Sequence, residues 1–145
     1  MKYMTRDFGE IEIEDGQKIS FHQPVFGFED YQDYAILHDP DIGMEVAWLQ
    51  SLEDPALCFV LVSPRVAPAY YQPEPAFPDN LENLVGKGEY ECWLIAVIQD
   101  DMMKSTVNLK SPVVINWALG CGAQVLLDGD YPVRYPLLEE AQAAC

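Results

Sequence analysis

Basic residues are scarce in this chain. Eight Lys and Arg stand against 24 Asp and Glu, a formal net charge of −16 over 145 residues. Such a surface repels phosphate backbones and anionic headgroups, so neither nucleic acid nor a membrane is expected as a direct partner. Histidine is scarcer still, with only His22 and His38. An imidazole metal centre would need both together with carboxylates, and no His-Glu-x-x-His motif occurs, so both read as sheet residues and no metal is expected. The four cysteines, Cys58, Cys92, Cys121 and Cys145, show no C-x-x-C spacing. They read as reduced thiols, with Cys58 and Cys92 beside apolar stretches and Cys121 in a Gly120-Cys121-Gly122 turn. Nucleophile elbow, P-loop and dinucleotide-binding glycine motifs are all missing, so no cofactor is expected. Apolar runs such as Trp93 to Ile98 are far too short to span a bilayer. The opening Met1–Asp7 meets charge at once and does not read as a signal peptide. These absences place the expected protein in the cytoplasm.

What is present is a strand pattern. Half of the residues are hydrophobic, enough for the core of one domain spanning residues 1–145. Glu10, Glu12 and Glu14 alternate with Ile11 and Ile13, and Lys18–His22 alternates again after Asp15-Gly16, which predicts a hairpin with Ile11, Ile13, Ile19 and Phe21 facing the core. Further strands are predicted at Tyr34–His38, Val46–Ser51, Cys58–Val62, Tyr90–Gln99, Ser105–Leu109, Val113–Asn116, Ala123–Leu127 and Tyr131–Tyr135, separated by turns such as Asp39-Pro40-Asp41 and Asp128-Gly129. Short strands at this spacing predict a mainly β, antiparallel sandwich or barrel. Five of the eleven prolines, Pro64, Pro68, Pro73, Pro75 and Pro78, mark an extended surface segment pinned by Tyr70, Tyr71 and Phe77. One short helix follows near Asn80–Val85, with Asp79 and Glu82 as a capping box and Gly86 as its stop. The tail from Glu139 to Cys145 reads as either helical or frayed.

Two function classes remain open on residues alone. Glu53-Asp54 and Asp100-Asp101 are adjacent carboxylates, the minimum for a small acidic hydrolase, although adjacent acids in a turn are ordinarily solvated. The 17 aromatics (three Trp, eight Tyr, six Phe) within a strongly negative field suit a binding surface for a basic protein, although most must build the core. In Val46–Ser51, Trp48 and Gln50 share one face and Leu49 and Ser51 the other; Leu49 reads as core, and Trp48 as core ahead of partner anchor. Asn108 and Asn116 read as side chains that hydrogen-bond turn backbone, ahead of any recognition role.

Several blocks together carry a resemblance. Phe8-Gly9-Glu10-Ile11, Gly27-Phe28-Glu29 and Trp48-Leu49-Gln50-Ser51-Leu52-Glu53-Asp54 are followed by Phe59, Pro64, Thr106-Val107-Asn108-Leu109-Lys110-Ser111-Pro112-Val113-Val114-Ile115-Asn116, Gln124, Tyr131, Arg134 and Pro136-Leu137. In this order they resemble the flagellar assembly factor FliW family, from about Phe8 to Leu137. The motif residues are Trp48, Gln50, Ser51, Asn108, Pro112 and Asn116. The resemblance implies a compact β-barrel-like domain without enzymatic activity. It further implies a cytoplasmic factor that binds flagellin and the translational repressor CsrA, a small basic RNA-binding dimer, and relieves repression of flagellin translation by switching partners away from the RNA site. Departures are Pro24-Val25-Phe26 before Gly27-Phe28-Glu29, Ser111 before Pro112, and the lack in Asn116–Gln124 of the basic residue common after Ile-Asn, with Trp117 unexpected there. For capture of a basic dimer, the candidate steering acids are Glu29, Asp30, Glu53, Asp54, Asp100 and Asp101, each expected in an exposed turn whose charge can change without harm to packing. The runner-up is the acidic hydrolase.

Overall fold

The structure is a computed structural model and describes residues 1–39, 41–43, 45–68 and 71–137. Pro40, Tyr70 and the tail from Glu139 to Cys145, on which parts of the sequence reading fall, lie outside the described residues. The strands are β1 (Lys2–Thr5), β2 (Gly9–Glu12), β3 (Lys18–Gln23), β4 (Asp33–Leu37), β5 (Val46–Ser51), β6 (Cys58–Val62), β7 (Glu91–Val97), β8 (Thr106–Val107), β9 (Val113–Asn116), β10 (Cys121–Gln124) and β11 (Tyr135–Pro136). One α-helix, α1 (Leu81–Val85), lies between β6 and β7. The mainly β fold with one short helix is as the sequence pattern indicates.

Strands β3, β4, β5, β6, β7, β9 and β10 pair in that order, and β10 returns to β3, closing a seven-stranded barrel. All neighbours are antiparallel except β10 and β3. Closure requires this exception, because a ring with an odd number of strands cannot alternate direction all the way round. The antiparallel barrel that the strand pattern predicts is thus observed, with one parallel seam. There Gly122 lies against Phe21; a Cβ on it would sit 2.6 Å from Phe21 Cε1. The close approach leaves room only for glycine.

Alternation separates two apolar layers. Ile19, Phe21, Tyr34, Ala47, Leu49, Leu61, Trp93, Val113 and Ile115 fill the barrel interior. Val62, Leu94, Ala96, Val114 and Ala123, their neighbours on the same strands, face outward beneath Tyr71, Leu81 and Val85. Both faces of these strands are therefore buried, which explains their near-continuous apolar runs. Ile19 and Phe21 are interior as expected; Ile13 is buried and Ile11 half-buried.

The first strands differ from expectation. β2 pairs with β1, a strand the sequence reading omitted, and the two form a separate ribbon rather than a β2–β3 hairpin. Asp15–Gln17 is a 3₁₀ turn, with Gln17 Oε1 accepting from the Glu14 amide at 2.9 Å, and it leads the chain away from β2. Cys121 belongs to β10, so the turn is Trp117–Gly120. β8 and β11 are two-residue strands. The proline segment is punctuated by 3₁₀ turns at Pro64–Val66 and Glu74–Ala76, and Tyr71 does pin it, its hydroxyl donating to the Leu109 carbonyl at 2.8 Å. Helix α1 begins after Asn80 without a side-chain cap; the Asp79 box does not form, while Gly86 ends the helix at φ 79°.

Candidate functional site

Strand direction decides which connections share an end of the barrel. β3, β5 and β7 run one way, and β4 and β6 return. The β3–β4, β5–β6 and β7–β8 connections therefore leave the same end, here the upper one. The three acidic pairs lie on these connections: Glu29 and Asp30 on the first, Glu53 and Asp54 on the second, Asp100 and Asp101 on the third. Sequence reasoning proposed the pairs separately; the topology brings them to one end.

The acids there are not equivalent. Glu53 Oε1 accepts from the Gln32 and Asp33 amides, both at 2.7 Å, and so ties the β3–β4 loop to the β5–β6 turn. Those two main-chain donors hold its carboxyl below the ordinary carboxylate range. A general acid needs the opposite shift, so Glu53 is unsuited to be the acid of a hydrolase pair. Asp54 Oδ1 accepts from the Ala56 amide at 2.9 Å, Glu29 Oε1 from Gly27 at 3.1 Å, and Asp101 Oδ1 from Met103 at 3.1 Å. Asp30 and Asp100 are exposed and make no side-chain hydrogen bond or ion pair among the described residues. Five of the six acids are exposed as expected, but Asp54 is half-buried, and Glu53 shapes two loops as well as carrying charge.

Most of the motif residues brace this end, and Asn116 braces the opposite one. Leu49 is fully buried inside the barrel, while Trp48 and Gln50 face outward together, as alternation requires. Trp48 is half-buried under the β1–β2 ribbon, edge-on to Phe8 at 5.5 Å between ring centroids. It therefore belongs to neither the interior core nor an open surface. Gln50 is fully buried and its Nε2 donates to the Ser51, Pro55 and Leu57 carbonyls at 3.1–3.3 Å. Ser51 Oγ accepts from the Glu53 and Asp54 amides at 3.1 and 3.0 Å, closing the turn. In the second block, Asn108 Oδ1 accepts from the Lys110 and Ser111 amides at 3.0 and 2.9 Å, and Pro112 is buried. Asn116 Nδ2 donates to the Val85 and Lys87 carbonyls, both at 3.0 Å, clasping the exit of α1 to β9. Both asparagines bond turn backbone, as their position at strand ends suggests.

Sequence reasoning missed the apolar part of the site. An open groove of about 390 Å³ lies between Val25, Phe26, Phe59, Ile95, Leu126 and Val133, with Asn108 on its wall. Phe26 is 44% exposed and Leu126 56%. Gln124 shapes its rim, accepting from the Phe26 amide at 2.8 Å and donating to the Ser111 carbonyl at 3.1 Å. Phe28, packed edge-on against Phe59 at 5.1 Å, and Met102 and Met103, all partly exposed, lie on the same acidic connections. The only sequence signal was Phe26 and Phe28 around Gly27, in a stretch too irregular for a strand. Contiguous exposed apolar surface rimmed by charge is the composition of a protein-binding face.

His22 is exposed near the end of β3, and His38 is exposed after β4, 6.0 Å from the Trp93 ring. No group of three or more His, Cys, Asp or Glu among the described residues could hold a metal ion. Burial pushes the Cys58 thiol up to about 11 and the Cys92 thiol to about 12. Among the described residues no helix is long and apolar enough to cross a membrane.

Comparison with known proteins extends the geometry. The family model described as FliW protein matches residues 2–137. The flagellar assembly factor FliW of Caldanaerobacter subterraneus subsp. tengcongensis is 32% identical, the alignment covering 99% of this chain and 97% of that protein. The protein of the same description from Syntrophus aciditrophicus is 36% identical, with 98% of this chain and 90% of that protein covered. A crystal structure of the flagellar assembly factor FliW superposes with a TM-score of 0.85 at 28% identity, covering 97% of this chain and 99% of that one.

Proposed function

The chain belongs to the FliW family, and from that premise we propose that it acts in the cytoplasm by binding CsrA and flagellin in alternation, relieving CsrA repression of flagellin translation. It works by binding rather than by catalysis, as a single FliW-like domain. One observation supports this most: three acidic connections leave the end of the barrel that also carries an exposed apolar groove, in whose lining Lys110 is the one charged residue. A net charge of −16 repels RNA and favours a basic protein, so the acids steer the encounter and the groove contributes the contact that holds. Glu29, Asp30, Glu53, Asp54, Asp100 and Asp101 supply the field in this reading. Gln50, Ser51, Asn108 and Pro112 brace the loops at this end, while Trp48 lies under the β1–β2 ribbon and Asn116 at the opposite end.

The test is association kinetics with purified CsrA across a salt series, using Glu29→Gln/Asp30→Asn, Glu53→Gln/Asp54→Asn and Asp100→Asn/Asp101→Asn, with flagellin as competitor. Each pair should slow association, with an effect of about 1 kcal/mol or less per exposed charge, and added salt should weaken binding of the unaltered protein. Flagellin should displace CsrA. Binding that ignores both salt and all three pairs would reduce the acidity to a solubility device.

A further inference from the structure

The opposite end of the barrel carries a second groove. β7 begins there, and the Trp117–Gly120 turn joins β9 to β10. An open hollow of about 580 Å³ lies between Glu89, Tyr90, Glu91, Trp117 and Ala118. Glu91 organises it. One carboxylate oxygen accepts from Trp93 Nε1, and the other accepts from Trp117 Nε1 at 2.6 Å. Trp93 is buried in the barrel interior, so Glu91 anchors the 38% exposed Trp117 ring to the body of the protein. Tyr90 is fixed as well, its hydroxyl donating to the Gly86 carbonyl at 2.6 Å.

We propose that this groove is a binding site for an arginine side chain presented by a basic protein partner. The aromatic wall is pre-set, which lowers the ordering cost of stacking a planar cation on it. Both acids of the groove lack a cationic partner: the ion pairs among the described residues are Lys2–Glu10, Arg6–Asp7 and Lys18–Asp33. Glu89 is exposed at the rim, where it can receive a guanidinium fork, while Glu91 adds charge at the N–H edge of the Trp117 ring. A guanidinium is planar, stacks on indole and donates in a fork that fits a carboxylate; an ammonium does none of these equally well. The chain's own Arg65 lies in an adjoining hollow that shares Glu91 and does not line this groove. The site is independent of the acidic end and does not rest on the function proposed for it.

The experiment uses the full chain and the three tryptophan indole N–H resonances in ¹H–¹⁵N spectra. N-acetyl-arginine-N-methylamide is titrated in, with the lysine and the neutral citrulline analogues as controls. Arginine should shift the Trp117 and Trp93 signals saturably and leave Trp48, under the β1–β2 ribbon, unmoved. Lysine should bind several-fold more weakly, and citrulline should give no saturable shift. Glu89→Gln should weaken arginine binding several-fold. Trp117→Ala, read from the Trp93 signal, should abolish it, with amide dispersion reporting that the fold is kept. Equal shifts with citrulline, equal affinity for lysine, or arginine binding unaltered by both substitutions would overturn the assignment.

Discussion

The two ends of the barrel carry the same kinds of side chain and use them in opposite ways. At the upper end, polar side chains hold main chain: Ser51, Glu53, Asp54 and Asn108 all accept backbone amides, while Phe26 and Phe28 stay partly exposed. At the lower end, an acid holds aromatics, Glu91 accepting from two indoles, and Asn116 donates to carbonyls rather than accepting only from amides. A carboxylate or an amide therefore has no fixed role in this fold. Which groups are left unpaired by the neighbouring backbone decides it: the Glu53, Asp54, Lys110 and Ser111 amides meet side-chain acceptors, whereas the carbonyls of the β5–β6 turn and of the end of α1 meet the amide groups of Gln50 and Asn116.

The largest expected effect comes from the lower end. Asn116 is fully buried, and Asn116→Ala leaves the Val85 and Lys87 carbonyls without their donor. The expected loss is about 2–3 kcal/mol, read as a shifted midpoint in urea unfolding. If the loss were no larger than that of an upper-end turn residue, the contrast between the two ends would fail. Asn108→Ala is that upper-end counterpart. It frees the amides of half-buried Lys110 and buried Ser111, both lining the open groove, so about 1 kcal/mol is expected in the same measurement.

These residues also show what a sequence can reveal. Val46–Ser51, Cys58–Val62 and Val113–Asn116 were legible to the residue because their apolar runs are long enough to state a strand without help from tertiary contacts. The β1–β2 ribbon was not, because Lys2–Thr5 has no alternation of its own and its order comes from pairing with β2. The expected β2–β3 hairpin failed for the same reason: alternation marks a strand but not its partner. At the site, asparagine at two strand ends announced bonds to turn backbone. The meeting of three acidic pairs at one end was invisible, since it follows from strand direction in a closed seven-stranded ring. The apolar groove was equally hidden, being assembled from residues as distant in sequence as Val25 and Val133.

Glu53→Gln probes the upper end through pH. The carboxyl of Glu53 is held low by the Gln32 and Asp33 amides, so the folded state binds its proton less tightly than the unfolded chain does. Its contribution to stability is therefore present above the unfolded glutamate range and is lost as pH falls through the lower folded value. Since the residue is exposed, the effect at neutral pH is expected to be modest, under about 1 kcal/mol. Glu53→Gln should lower stability at pH 7 and shrink the difference from the unaltered protein as pH drops below about 4. A difference that stays constant down to pH 2 would mean that Glu53 acts through shape rather than charge.

The smallest expected effect on stability sharpens the comparison most. Asp30 and Asp100 are upper-end acids with no side-chain hydrogen bond or ion pair among the described residues, so they separate the field of this end from its architecture. Asp30→Asn and Asp100→Asn should move the unfolding midpoint by less than about 0.5 kcal/mol, the usual range for exposed sites without partners. In the proposed reading, the same substitutions slow association with a basic partner and leave its dissociation nearly unchanged, because rim charges act on the encounter. Salt should narrow the difference between altered and unaltered protein, since exposed charges are screened beyond about 8 Å at physiological ionic strength. Stopped-flow association at low and physiological salt, alongside urea unfolding, measures both quantities on one preparation. Were Asp30→Asn to destabilise the fold as much as Asn108→Ala does, the acid would be holding a loop after all, and the division between bonded and free acids at this end would collapse.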